Sequence, residues 1–172
     1  GTISRFEQEK REAWLTDLFK MIQLPDANAK SADIYLWRRV PHPDNRVPGG
    51  PEIDVGILTE NTLILGEAKW LSGVGTAQGK GKNKDQIQLR GEYLKEYGPK
   101  FYRALSQLVV LGIGLNKEAF VNNVPEGVIF RSITWEEICS LNTHPIAEEV
   151  ERYYNWKVNN TKMFKKYVRH DK

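Results

Sequence analysis

Two apolar stretches, Ile53–Leu58 and Leu63–Trp70, flank the polar pair Glu60-Asn61, and three charges interrupt them: Asp54, Glu67 and Lys69. Apolar stretches joined by so short a polar tip predict a β-hairpin, with strands over Ile53–Thr59 and Thr62–Leu71. If Glu60 and Asn61 form the loop, Thr59 faces Thr62, opposed residue numbers sum to 121, and Asp54 stands opposite Glu67. Directly opposed residues have Cβ atoms roughly 4.5–5.5 Å apart. Lys69 shares the face of Glu67, about 6.6 Å further along the strand. A one-residue slip of the turn would send Asp54 to the other face.

Two like charges opposed in a half-buried sheet repel unless a cation or a proton lies between them. A hard divalent cation removes that cost, and magnesium is commonly held by one or two carboxylates with waters and substrate phosphates. Lys69 would then orient or deprotonate an attacking water. The competing reading puts Glu67 and Lys69 on an exposed sheet face and Asp54 near a strand end, with no metal. Against it stands the context: these charges interrupt runs of Ile, Val and Leu that otherwise read as central strands.

Elsewhere the chain reads as one domain of 172 residues, 40% hydrophobic and 27% charged, enough for a sizeable core. Phe6, Trp14, Leu15, Leu18, Phe19 and Ile22 recur at helical spacing and predict a helix over Ser4–Gln23, with Ser4 as N-cap and Glu7 three residues on. Ile34–Val40 reads as a strand stopped by Pro41-His42-Pro43-Asp44, and Ser72–Asp85 as a loop rich in Gly and Lys. A helix is expected over Gln86–Tyr97, closed by Gly98-Pro99, then an apolar run Leu108–Leu115 and a strand Val128–Ile133. Thr134 and Glu137 have capping-box spacing for another helix, and the chain from Pro145 reads as helical and basic. The expected fold class is α/β, a mixed central β-sheet flanked by helices. The core spans about residues 4–142 and a basic helical extension about 145–172 of a single unit 1–172.

At Asp54, Glu67 and Lys69, and in this order of elements, the sequence resembles the PD-(D/E)xK, or restriction-endonuclease-like, nuclease superfamily. Asp54 falls on the first metal-binding aspartate of that pattern, Glu67 on its D/E and Lys69 on its lysine; Pro51-Glu52-Ile53-Asp54 is a variant with two residues between Pro and Asp. The resemblance implies a restriction-endonuclease-like αβββαβ core and magnesium-dependent hydrolysis of phosphodiester bonds, usually by endonucleolytic cleavage of DNA, with manganese able to substitute. It implies that Asp54, Glu67 and the carbonyl of Ala68 hold the metal. Some members add a first-helix glutamate near the metal, for which Glu7 is the candidate, although a salt bridge to Arg11 explains it equally well. They also add a polar residue on the helix after the lysine strand. Gln86 is the candidate there, to orient water or phosphate, with helix capping as the alternative.

The net charge of +3 permits contact with nucleic acid without requiring it. Lys80, Lys82, Lys84, Arg38 and Arg39 are the candidate phosphate contacts, DNA is expected over RNA, and a homodimer is possible. The lone Cys139 excludes an internal disulfide and suggests a cytoplasmic setting and a buried inert thiol. No apolar run approaches the roughly 20 residues of a membrane span. His42, His144 and His170 are dispersed, so zinc is not expected and surface or turn positions are. The Gly73–Gly81 segment fits neither a Walker A loop nor a dinucleotide fingerprint. Three rivals remain: a catalytically inactive or partner-dependent nucleic-acid-binding module of the same fold, an RNA-processing enzyme, and an unrelated α/β interaction domain.

Overall fold

The computed structural model describes residues 3–40, 52–71, 84–101 and 104–161. The apolar stripe at the start of the chain folds as α1 (Gln8–Met21), which buries Trp14, Leu15, Leu18 and Phe19. It starts later than the Ser4 cap predicts. Ile3–Arg5 form a separate single turn because Ile3 is buried in the core, and Glu7 takes the cap position with extended backbone and no side-chain cap. The helix ends as Gln23 enters the left-handed region at φ 58°, letting the Leu24 N–H donate to Phe19 O at 2.8 Å. That six-residue closure satisfies a terminal carbonyl and buries Leu24.

Among the described residues five strands form one sheet in the order β1-β2-β3-β4-β5: β1 (Asp33–Arg39), β2 (Glu52–Leu58), β3 (Thr62–Ala68), β4 (Gln107–Gly114) and β5 (Ile129–Thr134). The first three are antiparallel neighbours, while β3–β4 and β4–β5 run parallel. The sheet is therefore mixed, as the sequence predicts. The hairpin register is also as expected: Leu58 pairs with Leu63, Ile57 with Ile64, Gly56 with Leu65 and Val55 with Gly66. Thr59 N–H closes it by donating to Thr62 O at 2.8 Å.

Parallel β3 and β4 need a crossover, and α2 (Gln86–Phe101) supplies it. This helix runs through Gly98-Pro99 instead of stopping there. Part of the clash by which a proline disfavours helical backbone at the preceding residue falls on that residue's Cβ, which Gly98 lacks. The same absence lets the helix approach β4, since a Cβ on Gly98 would lie 2.8 Å from Leu108 Cδ2. Asp85 caps α2, its Oδ1 accepting from Gln88 N–H at 2.8 Å.

Each sheet face carries its own core. On one, Ile57, Ile64, Val109 and Leu111 pack with α1; on the other, Leu63, Leu65 and Val110 pack with Ile87 and Leu94 of α2. Beyond β5, Thr134 and Glu137 form the expected capping box at the start of α3 (Trp135–Cys139), and α4 (Ala147–Asn159) follows. The element order through β4 is thus α, three strands, α, strand. Among the described residues no helix is long and apolar enough to cross a membrane.

Candidate active site

Glu67 is the penultimate residue of β3 and only 2% exposed, in a strand whose neighbours are Leu, Ile and Gly. Burying a carboxylate there demands a cation, and α2 provides it. Arg90 lies on the stripe that buries Ile87 and Leu94, and is itself 1% exposed. Its Nη2 is paired with Glu67 Oε2, while Lys69 Nζ is paired with Glu67 Oε1. The guanidinium is fixed from behind. Nη1 donates to Gln86 Oε1 at 2.8 Å and to the Gln86 carbonyl at 3.1 Å, and Nη2 donates to the Glu52 carbonyl.

Burial pushes the Glu67 carboxyl above the ordinary glutamate range, and the nearby Asp54 charge adds to this, while Arg90 and Lys69 oppose it. Burial likewise lowers the pKa of Arg90, which the charges of Glu67 and Asp54 counteract. A buried charge of either sign is costly alone, and each partner offsets part of the other's cost of burial.

Asp54 stands one step beyond the last described rung of the β2–β3 ladder, Val55–Gly66. There its side chain replaces a backbone partner, Oδ2 accepting from the Ala68 N–H at 2.7 Å. The end of β3 is held from the other side as well. Lys69 N–H donates to Ile113 O at 2.8 Å, and Trp135 Nε1 donates to Lys69 O at 2.7 Å. Asp54 and Ala68 also line a cavity of about 650 Å³ bounded by α1, α3 and α4.

The structure therefore gathers Asp54, Glu67, Ala68 and Lys69 at one end of the hairpin, but divides their surroundings. Glu67 meets Arg90 from the α2 side and pairs with Lys69, whereas Asp54 and Ala68 reach the cavity. Gln86 arrives at the cluster through Arg90, and the cap of α2 is made by Asp85 instead. Glu7 is not brought in. It is exposed at the start of α1, which packs on the sheet face opposite Glu67. Lys84 pairs with Glu92 at 2.7 Å instead of standing ready for phosphate, and Arg39 pairs with Glu52 at 3.3 Å across the sheet edge. Arg38 is exposed on β1 opposite Ile53. Lys80, Lys82, His42 and His170 lie outside the described residues.

His144 is not a simple surface residue: it is half-buried, edge-on to Phe6 and Trp14 at 6.1 and 6.0 Å between ring centroids. Cys139 is also half-buried, and burial pushes its thiol up, away from nucleophilic use. Arg90 is the site residue that sequence reasoning missed. Its signal was present: a charge on an apolar helical stripe, the same kind of interruption that marks Asp54 and Glu67.

The donor chemistry here is all oxygen, from two carboxylates and a carbonyl, which suits a hard divalent cation completed by waters and phosphate oxygens. Asp54, Glu67 and the Ala68 carbonyl are the residues that would hold it. Among the described residues no group of three or more His, Cys, Asp or Glu side chains is placed to bind a metal unaided. No protein-family model, curated protein or solved structure matches the chain.

Proposed function

We propose that the chain is a magnesium-dependent nuclease of PD-(D/E)xK type, acting most readily as a DNA endonuclease. The observation that supports it most is the meeting of Asp54 with the Ala68 amide one step past the last rung of the hairpin, at the end of β3 where buried Glu67 pairs with Lys69. A bound divalent cation would supply Lewis-acid polarisation of the scissile phosphate. The chain's own part is positioning. Arg90 offsets part of the cost of a charge on buried Glu67, the Ala68 N–H fixes one oxygen of Asp54, and Lys69 supplies an ammonium at the Glu67 carboxylate where an attacking water would be oriented. Substrate phosphates would reach the site past Arg38.

The experiment is incubation of plasmid, linear duplex, single-stranded DNA and RNA with magnesium, manganese or EDTA, for the wild type, Asp54→Asn and Lys69→Ala. Metal-dependent cleavage that both substitutions abolish, with folding retained, is the expected result. Cleavage by either variant at the wild-type level would remove the assignment.

A specific observation favours a second reading. Both oxygens of Glu67 are already engaged by cations, so the cluster is neutralised without metal. That is the arrangement expected of an inactive or partner-dependent nucleic-acid-binding module, whose sign would be salt-sensitive binding without cleavage.

A further inference from the structure

The cavity that Asp54 and Ala68 line is walled by aromatic rings that the site described above does not use. Trp37 stands at its mouth, 72% exposed. Its neighbours Leu36 and Arg38 pair with Val55 and Ile53, which sets Trp37 beside Asp54. Its backbone is in the left-handed region at φ 49°, a conformation a bulky residue holds only when its surroundings impose it. Tyr153 of α4 also lines the cavity, 60% exposed, with one face of its ring stacked on Trp156 at 5.9 Å between centroids. Trp70 is part of the same wall, packed edge-on against Tyr154 at 6.0 Å, with Lys157 Nζ 4.1 Å from its ring centroid.

The volume of about 650 Å³ falls within the range of roughly 300–1,000 Å³ typical of small-molecule sites. The polar groups on the wall do not form a phosphate clamp. Asp54 and Glu149 are carboxylates, and Lys157 is already over Trp70. What the cavity offers is ring faces and apolar depth beside the residue proposed to hold the metal. Nucleobases present that chemistry when they leave the stack: a flat π-face, few charges, and a phosphate backbone that stays outside, here past Arg38.

We infer that this cavity receives an unpaired nucleobase stacked against Trp37 and Tyr153, so that the substrate strand is single or locally opened where it meets Asp54. The inference rests on the nuclease reading for the strand's direction of approach. It goes beyond it by naming the substrate's secondary structure and the residues that select it.

The test is fluorescence anisotropy in EDTA, where no cleavage occurs, with short labelled single-stranded DNA, single-stranded RNA and duplex DNA of one sequence. The wild type should bind a single strand more tightly than the duplex. Trp37→Ala and Tyr153→Ala should each weaken that binding by about 5- to 150-fold, the worth of one stacked base, and leave duplex binding unchanged. Trp37→Phe, which keeps a ring, should restore most of the loss. The tighter of the DNA and RNA arms identifies the strand that supplies the base. Equal affinity for duplex and single strand, or folded Trp37→Ala and Tyr153→Ala proteins that bind as the wild type does, would overturn the inference. Its failure is separable from that of the nuclease reading. Asp54-dependent plasmid cleavage with unchanged binding by Trp37→Ala removes the base site alone, whereas Trp37-dependent single-strand binding without any cleavage removes only the nuclease.

Discussion

Glu67 of β3 and Arg90 of α2 form an ion pair in which the side chains are 2% and 1% exposed, tying the crossover helix to the end of the strand that carries the candidate chemistry. The pair sits where a hydrophobic contact would satisfy the fold equally well. Two ions of this kind repay their desolvation only when both are present and further hydrogen bonds hold them.

Removing one partner should therefore cost far more than removing both. Arg90→Met is expected to destabilise the protein by about 3–5 kcal/mol, and the double variant Glu67→Leu/Arg90→Met to recover most of that. Urea unfolding of the single and double variants measures the coupling. A loss of less than about 1 kcal/mol for Arg90→Met would show that water reaches the pair in solution.

Gln86 acts through Arg90. Its Oε1 accepts from Nη1 at 2.8 Å, so Gln86→Ala should cost about 1.5–3 kcal/mol, the worth of a hydrogen bond to a charged group. In an Arg90→Met background the same change should cost almost nothing, because the acceptor has lost its donor. Additive losses in the double variant would mean that Gln86 has a separate role.

Gly56 pairs with Tyr35 across β1 and β2, and a Cβ there would occupy the space of the Tyr35 ring. Gly56→Ala should cost about 1–3 kcal/mol through overpacking. Gly127 presents the opposite case. Nothing lies within 4 Å of its Cβ position, but its φ is +86°, so alanine there should cost about 1–2 kcal/mol through the backbone alone. Thermal unfolding of Gly56→Ala combined with Tyr35→Ala separates the two causes, since removing the ring should relieve only the first.

Burial against Phe6 and Trp14 holds the pKa of His144 below its usual value, and His144 Nδ1 accepts from the Ile146 N–H at 3.2 Å. A depressed folded pKa means that the contribution is fully present above the unfolded value of about 6.5 and is lost as pH falls through the folded one. The midpoint of unfolding should thus drop on acidification below about pH 6.5, and drop less in His144→Gln. Parallel pH profiles for the two proteins would show that His144 does not carry the dependence.

The hairpin was legible from sequence because its information is local. A polar two-residue tip between apolar stretches selects both the turn and the register, and the register follows by counting. The Thr134–Glu137 capping box was readable for the same reason, since its partners are three residues apart. The end of α2 was not. Gly98-Pro99 reads as a stop, but the helix continues through it with Gly98 close against Leu108, a contact that joins elements the local sequence does not connect.

For the site, the charges interrupting apolar runs marked Asp54, Glu67 and Lys69 without any structure, because a carboxylate in a buried strand must have a reason to be there. What tertiary structure decided was the identity of the compensating partners. Glu67 finds Arg90 from a helix, Asp54 finds the Ala68 amide, and the first-helix Glu7 is left in solvent at the start of α1. Periodicity assigns a side chain to a face of its own element, but which faces meet depends on sheet order and crossover, and these are settled by long-range packing.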